Sequence, residues 1–503
     1  MATVTVHTPD GHTSFPVEAG ALLADALAAM GCAVARPCGG AGRCGKCRVR
    51  AVGYLSPVSE RERVHLSPEE QAAGWRLACH TRVLGEVCVW WEDTTAGQRI
   101  ITAGHRPVTV AEPLFTRAGV AVDIGTTTLA ARLYDVTGEI ASAATPNSQS
   151  RYGADVISRI GCALEGKASE LTACIRRDVN ELLTRLCARV ERSLTEVDAL
   201  VITGNTAMLY LLTGQSVAPL AAAPFAITEH YGRFVTAGRL GLAVGEDTPV
   251  YLPPCMAAFV GADITTAQLA SGLCNGQGTA LLADIGTNGE LTLWQNGRLT
   301  VCSTAAGPAF EAANISCGMS GATGAIDRVW VQDGDLRIHT IDNAPAIGIC
   351  GSGVTDLVAC LLQTGRLDET GYLAEGEVVL AQGVTFTQED VRQVQLAKSA
   401  IRSGIETLLH TGGIACEQVE RFAVAGGFGS YVSLDSAAAI GLIPPALRQR
   451  CHSIGNAALT GAAMLLCDRR LMDTAADMAR QATHAELAMD AYFADQYIEQ
   501  MML

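Results

Sequence analysis

The chain has 503 residues, enough for more than one domain, and its 49% apolar content and 52 glycines suit a compact, turn-rich α/β protein. Its net charge of −15 argues against nucleic acid or an anionic membrane surface as a partner. No stretch reads as a membrane span or a secretory leader, and most of the 18 cysteines lack paired spacing, so a reducing cytoplasm is the expected setting.

Residues 3–7 alternate as a strand, Pro9, Asp10 and Gly11 make a turn, and residues 13–17 return as a second strand. The stretch 21–30 has helical composition. The string PCGGAGRCGKC then carries Cys38, Cys44 and Cys47, and Cys79 follows at a distance. This C-x5-C-x2-C…C spacing is one residue longer in its first gap than the plant-type 2Fe–2S pattern. A zinc ribbon would present two short C-x2-C arms, and only one is present. Gly39, Gly40, Gly42 and Gly45 let the backbone curl around a cluster and aim N–H groups at its sulfurs. Arg36, Arg43, Lys46, Arg48 and Arg50 crowd the loop. They read equally as a solvated rim or as charge that offsets an anionic cluster or docks an acidic redox partner.

Residues 48–52 leave the loop as a strand, Ser67 opens a short helix, and residues 86–91 close as an edge strand. Residues 1–92 thus read as a β-grasp ferredoxin domain. Residues 93–117, with Pro107 and Pro113 and no helical period, read as a flexible linker. The remaining cysteines, Cys32, Cys162, Cys255 and Cys317 among them, read as small buried apolar residues.

From 118 to 503 a single large α/β region has repeating punctuation. The phrase VAVDIGTTT ends at Thr128, LLADIGTN ends at Asn288, and FAVAGGFG spans 422–429, with helical stretches at 171–194 and 391–409 between them. An apolar strand followed by D-x-G-T makes a hairpin with outward-facing backbone N–H groups. Two such hairpins can clamp a triphosphate while the Asp holds Mg2+ or its water. One D-x-G-T alone is an ordinary turn; the duplication favours the clamp. Neither a P-loop nor a Rossmann glycine fingerprint is present.

This pattern resembles the actin/Hsp70/sugar-kinase ATPase superfamily. Asp123, Gly125, Thr126, Thr127 and Thr128 match its first phosphate segment, and Asp284, Gly286, Thr287 and Asn288 its second. Gly426 and Gly427 match the adenosine segment, and Gly455 and Asn456 stand where the second connecting helix begins. The resemblance implies two ribonuclease-H-like lobes with ATP and Mg2+ between them.

With the ferredoxin unit in front, the chain resembles the reductive activators of corrinoid-dependent enzymes. The strings that carry this are YGADVISRI (152–160), TGNTAM (203–208), FVGAD (259–263), AGPAFE (306–311), ISCGM (315–319) and GICGSG (348–353). Two departures stand out: the linker is too short for the extra domain some relatives insert, and Tyr210 replaces an expected His. The resemblance implies ATP-dependent return of an inactive Co(II) corrinoid protein of a methyltransferase system to Co(I). Electrons would pass from an upstream donor through the cluster, with Asp123 and Asp284 positioning Mg2+ and the attacking water. A homodimer is compatible with it. Ser316, in the ISCG turn, is the candidate side chain offered to cobalt, against the weightier reading of a turn serine bonding its own backbone. The alternatives are a small-molecule kinase with a ferredoxin redox sensor and a nucleotide-regulated electron-carrier module.

Overall fold

The computed structural model describes the chain except for residues 9–10, 33, 35, 37, 39, 92–106, 275 and 430. The expected turn at Pro9 and Asp10, the role of Gly39 and the linker over 93–106 therefore lie outside the described residues. The chain divides into two compact units: residues 1–97 with 148–162, and residues 98–147 with 163–503.

In the first unit, strands Ala2–Thr8 and Gly11–Val17 pair antiparallel, as the alternation predicts. The strand Val83–Trp90 is not the edge strand expected from 86–91. It lies centrally, parallel to Ala2–Thr8 and antiparallel to Arg48–Leu55, with Gly11–Val17 and Trp75–Leu77 outermost. Its buried Val83, Val87 and Val89 explain the place, since they join Val4, Val6, Val49, Leu23 and Leu27 in one core. Helix Leu23–Ala29 supplies the last two of these, completing a β-grasp sheet. Ser59 and Ser67 each open a short helix with a reciprocal capping box. The stretch 148–162 groups with this unit and is fixed internally by Arg159. That side chain is fully buried and donates to the Gly153 carbonyl at 2.9 Å and to Gln149 Oε1 at 3.2 Å.

The second unit holds two sheets built on one plan. Strands Ala118–Ile124, Thr128–Asp135 and Gly138–Pro146 form an antiparallel meander. Val197–Gly204 and then Pro249–Leu252 add in parallel on the other side of the first strand. Thr279–Ile285, Gly289–Gln295 and Arg298–Thr304 repeat the meander, with Arg421–Ala425 and Cys451–Gly455 as the parallel additions. Within each six-stranded sheet these five strands read 3-2-1-4-5, the duplicated ribonuclease-H-like arrangement expected from the sequence. Arg233–Thr236 adds beyond the fifth strand of the first sheet, and Ala482–His484 beyond the third strand of the second. The long helices are Ala168–Arg189 and Gln388–Gly412. The first stops short of the expected 194 because a 3-10 turn capped by Ser193 takes over.

Residues 107–117 correct the linker. Leu114 N–H donates to the Leu466 carbonyl at 2.9 Å, Ala111 N–H to that of Cys467 at 3.0 Å, and Phe115 is 3% exposed among Leu465 and Leu466. The segment has no helical period because it runs extended over helix Ala457–Cys467, with Val108, Val110, Leu114 and Phe115 facing the core. All 18 cysteines are free thiols, but Cys32, Cys162 and Cys317 are only half buried, unlike Cys255. Among the described residues no helix is long and apolar enough to cross a membrane.

Candidate functional site: a thiol cradle and a carboxylate-lined cleft

The cysteine loop gathers its four thiols into two pairs. Cys44 Sγ lies 3.3 Å from Cys38 Sγ, and Cys47 Sγ lies 3.0 Å from Cys79 Sγ. The hydrogen bond from Cys44 holds the Cys38 thiol down to about 4 against the opposing effect of burial, and it pushes Cys44 up. Cys47 is lowered and Cys79 raised in the same way. Two thiolates per metal is what a binuclear iron–sulfur cluster takes. Among the described residues no three His, Cys, Asp or Glu side chains have the arrangement of a single-ion site.

The surroundings suit such a cluster. The buried Nε2 of His80 has no hydrogen-bond partner. It lies against Gly42, where φ is +68° and a Cβ would sit 2.2 Å from that nitrogen, so only glycine lets the loop close here. Most of the basic rim is already engaged. Arg36 pairs with Asp25 at 2.8 Å, Arg48 with Glu70 at 2.7 Å, and Arg50 stacks on Trp90. Arg43 remains exposed.

Behind Cys79 lies a carboxylate that the sequence reading missed. Glu62 is fully buried. Its oxygens accept from Arg76 Nε at 2.8 Å, Ser59 N–H at 2.8 Å, Thr81 Oγ1 at 3.0 Å and Leu77 N–H at 3.2 Å. Leu77 and Thr81 bracket the turn that presents Cys79. Burial alone pushes this carboxyl up, but the Arg76 and Ser59 hydrogen bonds outweigh it and hold the pKa at about 2. The folded value is below the ordinary 4.5, so the stabilisation is fully present above about pH 4.5 and is lost as pH falls towards 2. Glu62→Ala, which strands Arg76, is expected to cost about 3–5 kcal/mol. Urea unfolding of the first unit at neutral pH, followed by loss of the cluster chromophore, measures it; an unchanged midpoint would contradict the network.

In the second unit both D-x-G-T phrases form the expected hairpins. Gly125 N–H donates to the Thr128 carbonyl at 3.0 Å, and Gly286 N–H to that of Asn288 at 2.9 Å. Asn147, fully buried, braces the first turn through its Nδ2 on the Gly125 carbonyl at 2.8 Å. Thr126 flanks Thr127 on this turn and is half buried. Asp123 and Asp284 end the two first strands. Asn456 spans between halves: its Oδ1 caps helix Ala457–Cys467, and its Nδ2 donates to Asp123 Oδ2 at 3.1 Å. Gly455, paired with Ala425, ends the strand before it. Gly426 has φ +92°, and a Cβ there would sit 2.6 Å from Asp284 Oδ1, so the glycine lets the third phrase approach that carboxylate. Beside Gly427 lies open space.

Two further carboxylates join this pair. Glu290 lies opposite Asp284 on the neighbouring strand, where the first half has Ala130 opposite Asp123. Asp263 stands in the first turn of helix Ala262–Ser271. All four are partly accessible yet surrounded by protein on most sides. Burial raises Asp284 to about 6. Burial, reinforced by neighbouring carboxylates, raises Asp123 to about 7 and Asp263 to about 8, and it drives Glu290 upward too. Such a group is poised to take up positive charge. The neighbouring carboxylates repel one another. The signals were the Asp of FVGAD and the Glu two residues after Asn288, each too far in sequence to reveal the meeting.

Ser316 is exposed, and its N–H and hydroxyl both donate to Asp390 Oδ1, at 2.7 and 2.9 Å. Asp390 in turn closes the capping box of helix Gln388–Gly412 with Thr387. The serine is therefore held by a carboxylate distant in sequence.

Family comparisons agree with this architecture. Residues 7–84 match a model described as a 2Fe-2S iron-sulfur cluster binding domain, residues 118–276 one described as the RACo middle region, and residues 278–503 the C-terminal domain of RACo, the ASKHA domain. A corrinoid activation enzyme, RamQ, from Eubacterium limosum is 32% identical over 76% of this chain and 70% of its own. A Co(II) methylated amine-specific corrinoid protein reductase from Methanosarcina barkeri is 26% identical over 74% of each chain. The solved structure of a reductive activator for a corrinoid, iron-sulfur protein aligns over 100% of this chain and 98% of its own, with a TM-score of 0.71 and 26% identity. Two thiol pairs in one unit and a duplicated D-x-G-T hairpin in the other accord with these relatives, and the chain belongs to the family of reductive activators of corrinoid proteins.

Proposed function

We propose that this chain is an ATP-dependent reductive activator that returns the cobalt of a partner corrinoid protein from inactive Co(II) to Co(I). The observation that carries the proposal is the presence, in one chain, of a four-thiol cradle and a two-hairpin cleft lined by four carboxylates. Cys38 and Cys44 would hold one iron of a 2Fe–2S cluster and Cys47 and Cys79 the other. When bound, the cluster supplies a one-electron carrier whose potential, for the plant type, lies near about −400 mV. Cobalt reduction is uphill from there, and each 100 mV of shortfall costs about 2.3 kcal/mol per electron. Free energy from ATP binding and hydrolysis, spent on gripping and releasing the partner, can offset this.

The chain's own groups divide the work. The N–H groups and hydroxyls of Thr126, Thr127, Thr128 and Thr287 face the phosphates, Asn288 borders them, and the open space at Gly427 admits the adenosine. Asp123 and Asp284, with Asp263 and Glu290, would hold Mg2+ against the phosphate charge. Gly455 and Asn456 tie the adenosine side to Asp123. Ser316, with its hydroxyl proton turned to Asp390, presents an oxygen lone pair outward to the cobalt, where a change of axial ligand tunes the potential. A separate reductant supplies the electron, and the free cysteines fit a cytoplasmic setting.

ATP hydrolysis measured with and without a Co(II) corrinoid protein tests the reading. Stimulated release of inorganic phosphate is expected, whereas a phosphorylated small molecule would favour the kinase. Ser316→Ala should slow cobalt reduction while leaving hydrolysis intact; equal reduction rates remove the serine from the mechanism.

A further inference from the structure

One carboxylate in the cleft is unlike the other four. Glu311 ends the short turn Pro308–Glu311, and its oxygens accept from the hydroxyls of Thr127 at 3.0 Å and Thr287 at 3.2 Å. It thus touches one threonine from each duplicated hairpin, the groups that would face the phosphate tail. A Cβ added at Gly286 would lie only 3.6 Å from its Oε1, so the second hairpin turns directly beneath it. Among these five carboxylates, Glu311 is the one that accepts from a threonine hydroxyl of each hairpin.

We propose that Glu311 is the catalytic base of ATP hydrolysis, orienting and deprotonating the attacking water at the terminal phosphate. This rests on the ATPase reading above. A carboxylate offers only acceptors, so it cannot bond directly to a phosphate oxygen without repulsion. A water between the two resolves this: it donates one hydrogen to Glu311 and turns a lone pair to phosphorus. The water oxygen forms the new bond to phosphorus, and the bond from phosphorus to the bridging oxygen breaks with its electron pair leaving on ADP. The water's proton goes to the Glu311 carboxylate. The products are ADP and inorganic phosphate, and the threonine hydroxyls fix the direction in which the carboxylate points.

The test uses the full-length chain with its corrinoid partner and reads phosphate release beside equilibrium binding of the non-hydrolysable analogue adenylyl imidodiphosphate. Glu311→Gln keeps the shape and removes the base, so kcat should fall by about 10²- to 10⁴-fold while analogue affinity stays within about threefold or tightens. Retained turnover overturns the assignment. Parallel loss of turnover and analogue binding also overturns it, since Glu311 would then only tie the hairpins together. Should the Gln variant fold poorly, Glu311→Asp retains the charge but withdraws it by one methylene, and it should bind the analogue normally yet turn over slowly; full speed there overturns the proposal. Absence of hydrolysis by the unmodified chain sinks the ATPase reading itself, which distinguishes the two failures.

Discussion

Cys79→Ala is expected to abolish the brown chromophore and all cobalt reduction while the second unit still binds nucleotide. Cys79 is 6% exposed, and its thiol sits 3.0 Å from Cys47. It comes from a separate turn, fixed by the Glu62 network, and completes the second thiol pair. Cys44→Ala breaks the other pair and should give the same result. The units have separate cores, so the loss should not spread to the second. Iron content and the reduced-state paramagnetic signal are the measurements. Two irons retained with an unchanged signal in Cys79→Ala would refute the ligand assignment.

The second large effect is expected at Asp284. It stands opposite Glu290 and beside Gly426, and it raises the pKa of both Asp263 and Glu290. Asp284→Asn should lower ATP hydrolysis by about 10²-fold or more, a typical penalty for losing one preorganised electrostatic group. The nucleotide-free protein should melt higher at pH 8, because a half-buried carboxylate that repels its neighbours is gone. The sign follows from the raised pKa values. Carboxyls with folded pKa above the unfolded one bind extra protons in the native state, so wild-type stability falls as pH rises from about 4 towards 8. Thermal melts at pH 5.5 and 8 on both proteins check this. A melting temperature lowered by the substitution at pH 8 would mean that Asp284 serves the core rather than the cleft.

The strands, both hairpins and the cysteine loop were legible in the sequence because each is written locally. A strand's apolar run, a D-x-G-T turn and a C-x5-C-x2-C spacing all lie within a dozen residues. What escaped was made by distance. Glu311 meets Thr127 across 184 positions, and Asn456 meets Asp123 across 333. Glu62 shows no role in the sequence, because Arg76 and Thr81 reach it only in the fold. The segment 107–117 looked unstructured because its pattern answers to a partner helix rather than to a period of its own. The central place of Val83–Trp90 was likewise hidden, since its neighbours Ala2–Thr8 and Arg48–Leu55 lie far from it in sequence.

The most direct test of the account follows the Co(II) absorbance band of a corrinoid partner under a chemical reductant, with the intact chain present at catalytic amount. The band should decay to Co(I) only when ATP is present and Cys79 is intact. Decay at the same rate without ATP, or with Cys79→Ala in place of the intact chain, would contradict it.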